Sequence, residues 1–179
     1  MLDNIRSTHN VGSILRTADG IGVSRVIFSG YTPRVNDERV LPHLREKLNK
    51  QIKKTSLGAE EYVENYACDD IKAELLRLND EGYLIVGLEN NIKDSRLVKI
   101  TELRRILQGS KEKFGEKWSE VSSALRSKVV LILGEEVHGI NYSLYDIIDL
   151  FLEIPMEGRK ESFNVSVAAG IAGFYLKNL

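Results

Sequence analysis

Apolar and polar positions along the chain change rhythm repeatedly, and each change predicts an element. Val11, Ile14, Leu15 and Ala18 recur at three- and four-residue spacing, which predicts a helix capped by Asn10 and ended by Gly20 or Gly22. Ahead of it, Met1–Ile5 reads as the tail of a first strand. Arg25–Phe28 (RVIF) reads as a short strand and Gly30–Arg39 as a loop. Leu41–Lys50 reads as a charged helix, followed by a connector at Lys53–Glu60. Asp70–Glu81 places Ile71, Leu75 and Leu78 on one helical face. Tyr83–Leu88, Lys128–Leu133 and Leu150–Ile154 are almost unbroken apolar runs, as expected of parallel strands covered on both faces. Val165–Leu176 reads as a closing helix. Strands alternating with helices predict an α/β fold with a mainly parallel sheet flanked by helices. Residues 91–127 are charged, contain Trp118 and break the rhythm. They read as an insertion of one or two surface helices within a single domain spanning 1–179.

Composition narrows the class. A chain of 179 residues can bury a full core as one domain. Hydrophobic residues at 42% and charged ones at 28% match soluble globular proteins. No apolar run has the length of a membrane span, and the start of the chain has no signal-peptide pattern. The single Cys68 excludes an intrachain disulfide and fits a reducing cytoplasm. Net charge is −1, but residues 1–54 hold ten Lys/Arg against five Asp/Glu. Arg45, Lys47, Lys50, Lys53 and Lys54 close that basic third. Either they form a phosphate-binding face or they are a solvated surface of uneven charge.

The common nucleotide motifs fail. Gly20-Ile21-Gly22 hints at a dinucleotide fingerprint, but Arg25 stands where its third glycine belongs, and a helix precedes it instead of a strand. No P-loop is present. His9, His43 and His138 lack the spacing of metal ligands, so no metal is expected.

Three segments carry chemistry. The first is Asn10-Val11-Gly12-Ser13-Ile14-Leu15-Arg16-Thr17, which taken alone is also an ordinary capped helix. In the second, the strand Leu131–Leu133 runs into Gly134-Glu135-Glu136-Val137-His138-Gly139, which alone is also an ordinary strand-to-helix turn. The third is Ile154-Pro155-Met156 running to Ser162-Phe163-Asn164-Val165-Ser166-Val167. Here a strand ends in a polar loop and a helix opens, leaving backbone N–H groups without helical partners.

In this order and spacing, the three segments resemble the motifs of the SpoU–TrmH branch of the SPOUT superfamily, RNA ribose 2′-O-methyltransferases. The first motif is matched by Asn10-x-Gly12-x-x-x-Arg16-Thr17, the second by Leu133-Gly134-x-Glu136-x-x-Gly139, and the third by Ile154-Pro155-Met156 with Ser162-x-Asn164-Val165-Ser166-Val167. Glu135 stands where a small or amide residue is usual, and Phe163 replaces a leucine. The chain starts abruptly at Met1, so a short or trimmed first strand is expected, and no separate N-terminal RNA-binding domain is expected.

The resemblance implies a parallel sheet with a C-terminal trefoil knot, a rare exception to the usual rules of chain threading. It implies S-adenosyl-L-methionine as cofactor, held by backbone groups of Leu133, Gly134, Ile154, Met156 and Phe163. It implies methyl transfer to a ribose 2′-hydroxyl of tRNA or rRNA, with Asn10, Arg16, Glu136, Ser162 and Asn164 as the catalytic set. For Arg16 the family role is general base; a guanidinium, which keeps its proton in proteins, is better suited to gripping phosphate and orienting the hydroxyl. Asn10 is expected to act from the helix cap. Family members are homodimers that pack knot helices together. Ala168, Ala169, Gly170, Ala172 and Gly173 serve either that contact or packing within the chain. The alternatives are a non-catalytic RNA-binding protein on the same scaffold, and a methyltransferase acting on a protein or small molecule.

Overall fold

The structure is a computed structural model that describes residues 1–109 and 118–179, with the backbone alone for 109 and 118–120. Seven strands form one sheet: β1 (Leu2–Asp3), β2 (Arg25–Ser29), β3 (Glu64–Ala67), β4 (Leu84–Leu88), β5 (Leu97–Lys99), β6 (Val129–Leu133) and β7 (Leu150–Glu153). Their order is β3-β2-β1-β6-β4-β7-β5, and every neighbouring pair is parallel. Around the sheet lie α1 (Thr8–Gly20), α2 (Pro42–Ser56), α3 (Ala59–Tyr62), α4 (Ile71–Asp80), α5 (Leu103–Gly109), α6 (Trp118–Leu125) and α7 (Val165–Lys177). The α/β class expected from the sequence is the class observed. No helix among the described residues is long and apolar enough to cross a membrane.

The near-continuous apolar runs are explained by burial on both sides of the sheet. Leu2, Phe28 and Leu133 face a core with Ile14, Leu15, Ala18 and Ala169 of α1 and α7. Their strand neighbours Met1, Ile27 and Ile132 face the opposite core with Leu75 and Leu78 of α4. Side chains alternate across a strand, so both positions of each pair must be apolar.

Several boundaries differ from the sequence reading. Strand β1 is two residues long, not five. Ser7, not Asn10, caps α1: its side chain accepts from the Asn10 N–H at 3.3 Å, and Asn10 lies in the first turn. Helix α2 runs on to Ser56 and ends at Leu57 in a left-handed conformation, so most of the expected connector is helix. Strand β3, with the sequence Glu-Asn-Tyr-Ala, has no apolar run to mark it because it is an exposed sheet edge. Among its described residues, the segment 91–127 supplies helices α5 and α6 and also the other edge strand β5. Val98, Ile100, Leu103 and Leu125 of this segment are buried, so it is built into the core. Its residues 110–117 lie outside the described residues.

The small residues of α7 are used within the chain. Ala169 and Ala172 are buried. A Cβ on Gly170 would touch Thr17 at 3.6 Å, and one on Gly173 would meet Ile21 at 2.6 Å. Asn164 lies beside Asn10, and Lys177 reaches the Gly22 carbonyl at 3.4 Å. Helices α1 and α7 therefore run parallel, with both N-termini at one end.

Candidate functional site

Because all strands are parallel, β1, β6, β4 and β7 deliver their following loops to one edge of the sheet. From β1 the chain moves outward to β2 and β3, whereas β6 leads the other way, over β4 to β7. Ligand crevices in open α/β sheets form at such reversals of strand order, outside the carboxyl ends of the strands. All three motif segments are at this edge.

Glu136, in the loop after β6, is seated on the start of α1. Its carboxylate accepts the Arg6 N–H at 3.1 Å, the Ser7 N–H at 3.4 Å and the Asn10 amide at 3.0 Å. Helix N-termini favour negative charge because their first N–H groups lack helical partners. Burial works against the charge on Glu136, but the bonds from Arg6, Asn10 and Ser7 hold its pKa below the ordinary carboxylate value. The Asn10 carbonyl oxygen in turn accepts from the Asn164 amide at 3.1 Å. Asn164 caps α7, accepting from the Ser166 N–H at 2.9 Å and its hydroxyl at 2.7 Å. One polar chain thus runs Glu136–Asn10–Asn164 through residues 126 and 154 positions apart in sequence.

Neither Arg16 nor Ser162 belongs to that chain. Arg16 is exposed, one turn beyond Gly12 and on a different face of α1 from Asn10. Neither side chain makes a hydrogen bond or ion pair among the described residues. Glu135 is drawn into a separate contact, pairing with Arg6 and lying 2.7 Å from His138 Nδ1. His138 first, with Arg6, holds the Glu135 pKa low.

The expected cofactor residues line the same edge. Leu133 is buried, and its N–H is taken by the Met1 carbonyl at 3.0 Å. Gly134 cannot carry a side chain, because a Cβ there would overlap the backbone of Gly139 and Ile140. The loop closes on itself where Glu135 and Gly139 exchange backbone bonds at 3.1 and 2.9 Å. Ile154 is buried, and both its backbone groups are occupied by the Asn90 side chain. The backbone groups of Gly134, Met156 and Phe163 have no protein partner among the described residues, and Phe163 is 40% exposed.

Of the expected RNA-contacting residues, Lys47, Lys50 and Lys54 share the solvent face of α2, opposite buried Ile52. Lys53 is tied to Glu61 at 3.3 Å and Glu60 at 3.6 Å. Arg45 turns inward and donates to the Val40 carbonyl at 3.1 Å. Sequence reasoning missed Glu89, Asn90 and Asn91. Their only signal was an acidic-amide triplet directly after an apolar strand.

A cavity of about 470 Å³ lies at the opposite edge of the sheet, between Arg25–Ile27 and Val129–Leu131 and beside Met1. Thr17 and Leu133 are the matched motif residues that line it, and none of Asn10, Arg16, Glu136, Ser162 and Asn164 does.

Comparison with known proteins gives relatives over almost the whole chain. The chain is 30% identical over 174 residues to the 23S rRNA (guanosine-2′-O-)-methyltransferase RlmB of Xylella fastidiosa, covering 97% of this chain and 55% of that protein. It therefore spans about half the length of the curated relatives it matches. Its fold matches a TrmH/SpoU tRNA modifying enzyme of A. aeolicus, with a TM-score of 0.71, 22% identity and coverage of 99% of this chain and 72% of that one. It also matches an AdoMet-bound rRNA methyltransferase of Sinorhizobium meliloti, with a TM-score of 0.69, 22% identity and coverage of 99% and 54%. The model of the SpoU rRNA Methylase family matches residues 1–174, and the chain belongs to that family.

Proposed function

We propose that this chain transfers a methyl group from S-adenosyl-L-methionine to a ribose 2′-hydroxyl of tRNA or rRNA. The observation that carries the reading is the Glu136–Asn10–Asn164 chain, which joins one residue from each motif at the reversal of strand order. The donor chemistry suits the cofactor. Gly134, Met156 and Phe163 offer backbone groups without a partner among the described residues, beside the exposed Phe163 ring, a combination that suits a purine. When bound, the cofactor supplies an activated methyl on a sulfonium, so the protein's work is positioning and charge placement.

Gly134, Met156 and Phe163 would hold the cofactor, whose sulfonium would give its methyl to the ribose oxygen and keep the electron pair of the broken carbon–sulfur bond as a thioether, the hydroxyl proton passing to water. Arg16, with no intramolecular partner among the described residues, holds the target phosphate and orients the hydroxyl. Glu136 fixes Asn10, and Asn10 fixes Asn164. Ser162, beside Asn164, donates to substrate. Lys47, Lys50 and Lys54 hold RNA backbone at the flank.

The same reading includes a C-terminal knot, a cytoplasmic location and a homodimer. The dimer is supported by Val167, Ile171 and Phe174, an exposed apolar stripe along α7 on the face its small residues leave free.

The experiment is incubation with methyl-labelled S-adenosyl-L-methionine and unmodified tRNA or rRNA fractions, followed by alkaline hydrolysis. Label in alkali-resistant dinucleotides is expected, since a 2′-O-methyl group blocks cleavage at its own phosphate. The Arg16→Ala protein should bind cofactor but transfer nothing. Full transfer by Arg16→Ala, or label confined to protein or small molecules, would overturn the assignment.

A further inference from the structure

Strand β4 ends at Leu88, and the next three residues reach two different loops. The Glu89 carboxylate accepts the Ile140 N–H at the close of the 134–140 loop. It lies so close to Gly139 that a Cβ there would overlap it, and Gly139 also has φ +70°, so glycine is required on two counts. Asn90 reaches the other way. Its amide donates to the Ile154 carbonyl at 2.9 Å, and its oxygen accepts the Ile154 N–H at 3.2 Å. The last backbone bond between these strands is from Glu89 N–H to the Leu152 carbonyl, at 3.0 Å. The Asn90 amide group therefore continues the ladder one step past the point where the backbones diverge. It also reaches the Glu161 carbonyl at 3.3 Å, as the Asn91 amide does at 3.4 Å. Asn91 has φ +61°, a left-handed conformation that asparagine tolerates better than most residues.

We propose that Glu89 and Asn90 are positioning residues that set the separation of the two cofactor loops, Glu89 holding 134–140 and Asn90 holding 154–161. This rests on the methyltransferase reading of the site. Asn90 has a second effect. It occupies both backbone groups of Ile154, leaving the purine to be read by Gly134, Met156 and Phe163. Adjacent residues on a rigid strand end fix two loops to one reference point, which loop-to-loop contacts alone would not do.

The test uses the whole chain and four variants: Asn90→Ala, Asn90→Asp, Glu89→Ala and Glu89→Gln. Aspartate has the shape of asparagine but turns an oxygen toward the Ile154 and Glu161 carbonyls. Glutamine keeps an acceptor for the Ile140 N–H. Calorimetry with S-adenosyl-L-methionine should show a dissociation constant raised tenfold or more by Asn90→Ala, Asn90→Asp and Glu89→Ala. Glu89→Gln should stay within threefold of wild type. At saturating cofactor, kcat should change less than twofold, so the loss appears in KM.

Amide hydrogen exchange reads the clamp without cofactor. The Ile154 N–H should be protected in wild type and exposed in Asn90→Ala, with the Val86 and Ile132 amides unchanged. Wild-type exchange at Ile154 as fast as at Met156 would overturn the clamp whatever the protein binds. So would Asn90 variants that bind cofactor like wild type. A protected Ile154 in a wild-type protein that binds no cofactor would instead sink the methyltransferase reading, leaving a loop clamp without a cofactor role.

Discussion

Gly12 belongs to the first motif, and its substitution separates a packing role from a binding role. The residue lies in the second turn of α1, against the last turns of α2. A Cβ there would overlap Thr55 Oγ1 and the Ile52 carbonyl oxygen and lie 3.0 Å from the Ser56 nitrogen. The first of these atoms can rotate away; the other two are backbone. Gly12→Ala sets two effects against each other. Alanine in a helix interior gains about 1 kcal/mol over glycine. Overpacking against a neighbouring helix costs about 1–3 kcal/mol, and backbone overlap puts this site near the upper end. The balance is a loss of about 2 kcal/mol. For a chain of this size that lowers the melting temperature by about 4–8 °C. Gly20 on the same helix is the control, since a Cβ there meets nothing within 4 Å. Gly20→Ala should melt at or slightly above wild type. Thermal unfolding followed by circular dichroism measures both. A Gly12→Ala protein that melts as high as Gly20→Ala would refute the packing account.

Three further outcomes are expected. Changing Lys47, Lys50 and Lys54 together to glutamine should weaken RNA binding and reduce the slope of log K against log salt by about 0.7–0.9 for each phosphate no longer neutralised, as read by fluorescence anisotropy. The same changes at Lys53 and Arg45 should have smaller effects, because both are already partnered; an unchanged slope in the triple variant would remove α2 from the RNA surface. The Met1 amine is buried against the Leu131 carbonyl, and burial lowers its pKa from 8.0 to about 5. Between those values the unfolded chain binds the proton and the folded one does not. In the chain with a free Met1 amine, stability should fall by up to about 4 kcal/mol as pH drops from 8 to 5, measured by urea unfolding; the loss should vanish when the amine is acetylated in a still-folded protein. Finally, Phe174→Asp should shift sedimentation from dimer to monomer at micromolar concentration without lowering the melting temperature of the monomer. Unchanged sedimentation would exclude the α7 stripe as the dimer contact.

Elements with a one-dimensional signature were legible in the sequence. The apolar runs at 84–88, 129–133 and 150–153 announced strands buried on both faces, and Val11, Ile14, Leu15 and Ala18 announced the buried side of α1. The edge strands were not legible. Glu64–Ala67 and Leu97–Lys99 are held by neighbours far away in sequence and carry no run of their own. The start of α1 was misplaced because Ser7 and Asn10 both suit a cap. Only the backbone shows that Ser7 takes the position, leaving the Asn10 side chain free for Glu136 and Asn164.

The three motif segments were legible as segments. Their mutual arrangement was not, because hydrogen bonds across 126 and 154 residues leave no trace in local spacing. The same holds for Arg45 and Lys53. Sequence counts both as free positive charges, and only the fold shows one turned toward a carbonyl and the other neutralised. The sequence by itself determined which residue types were present and the local rhythm that makes helices and strands, since both follow from neighbours a few positions apart. The tertiary structure decided which polar groups meet, which are already spent on one another and which remain for a ligand. Those outcomes depend on strand order and loop crossing, to which distant parts of the chain contribute equally.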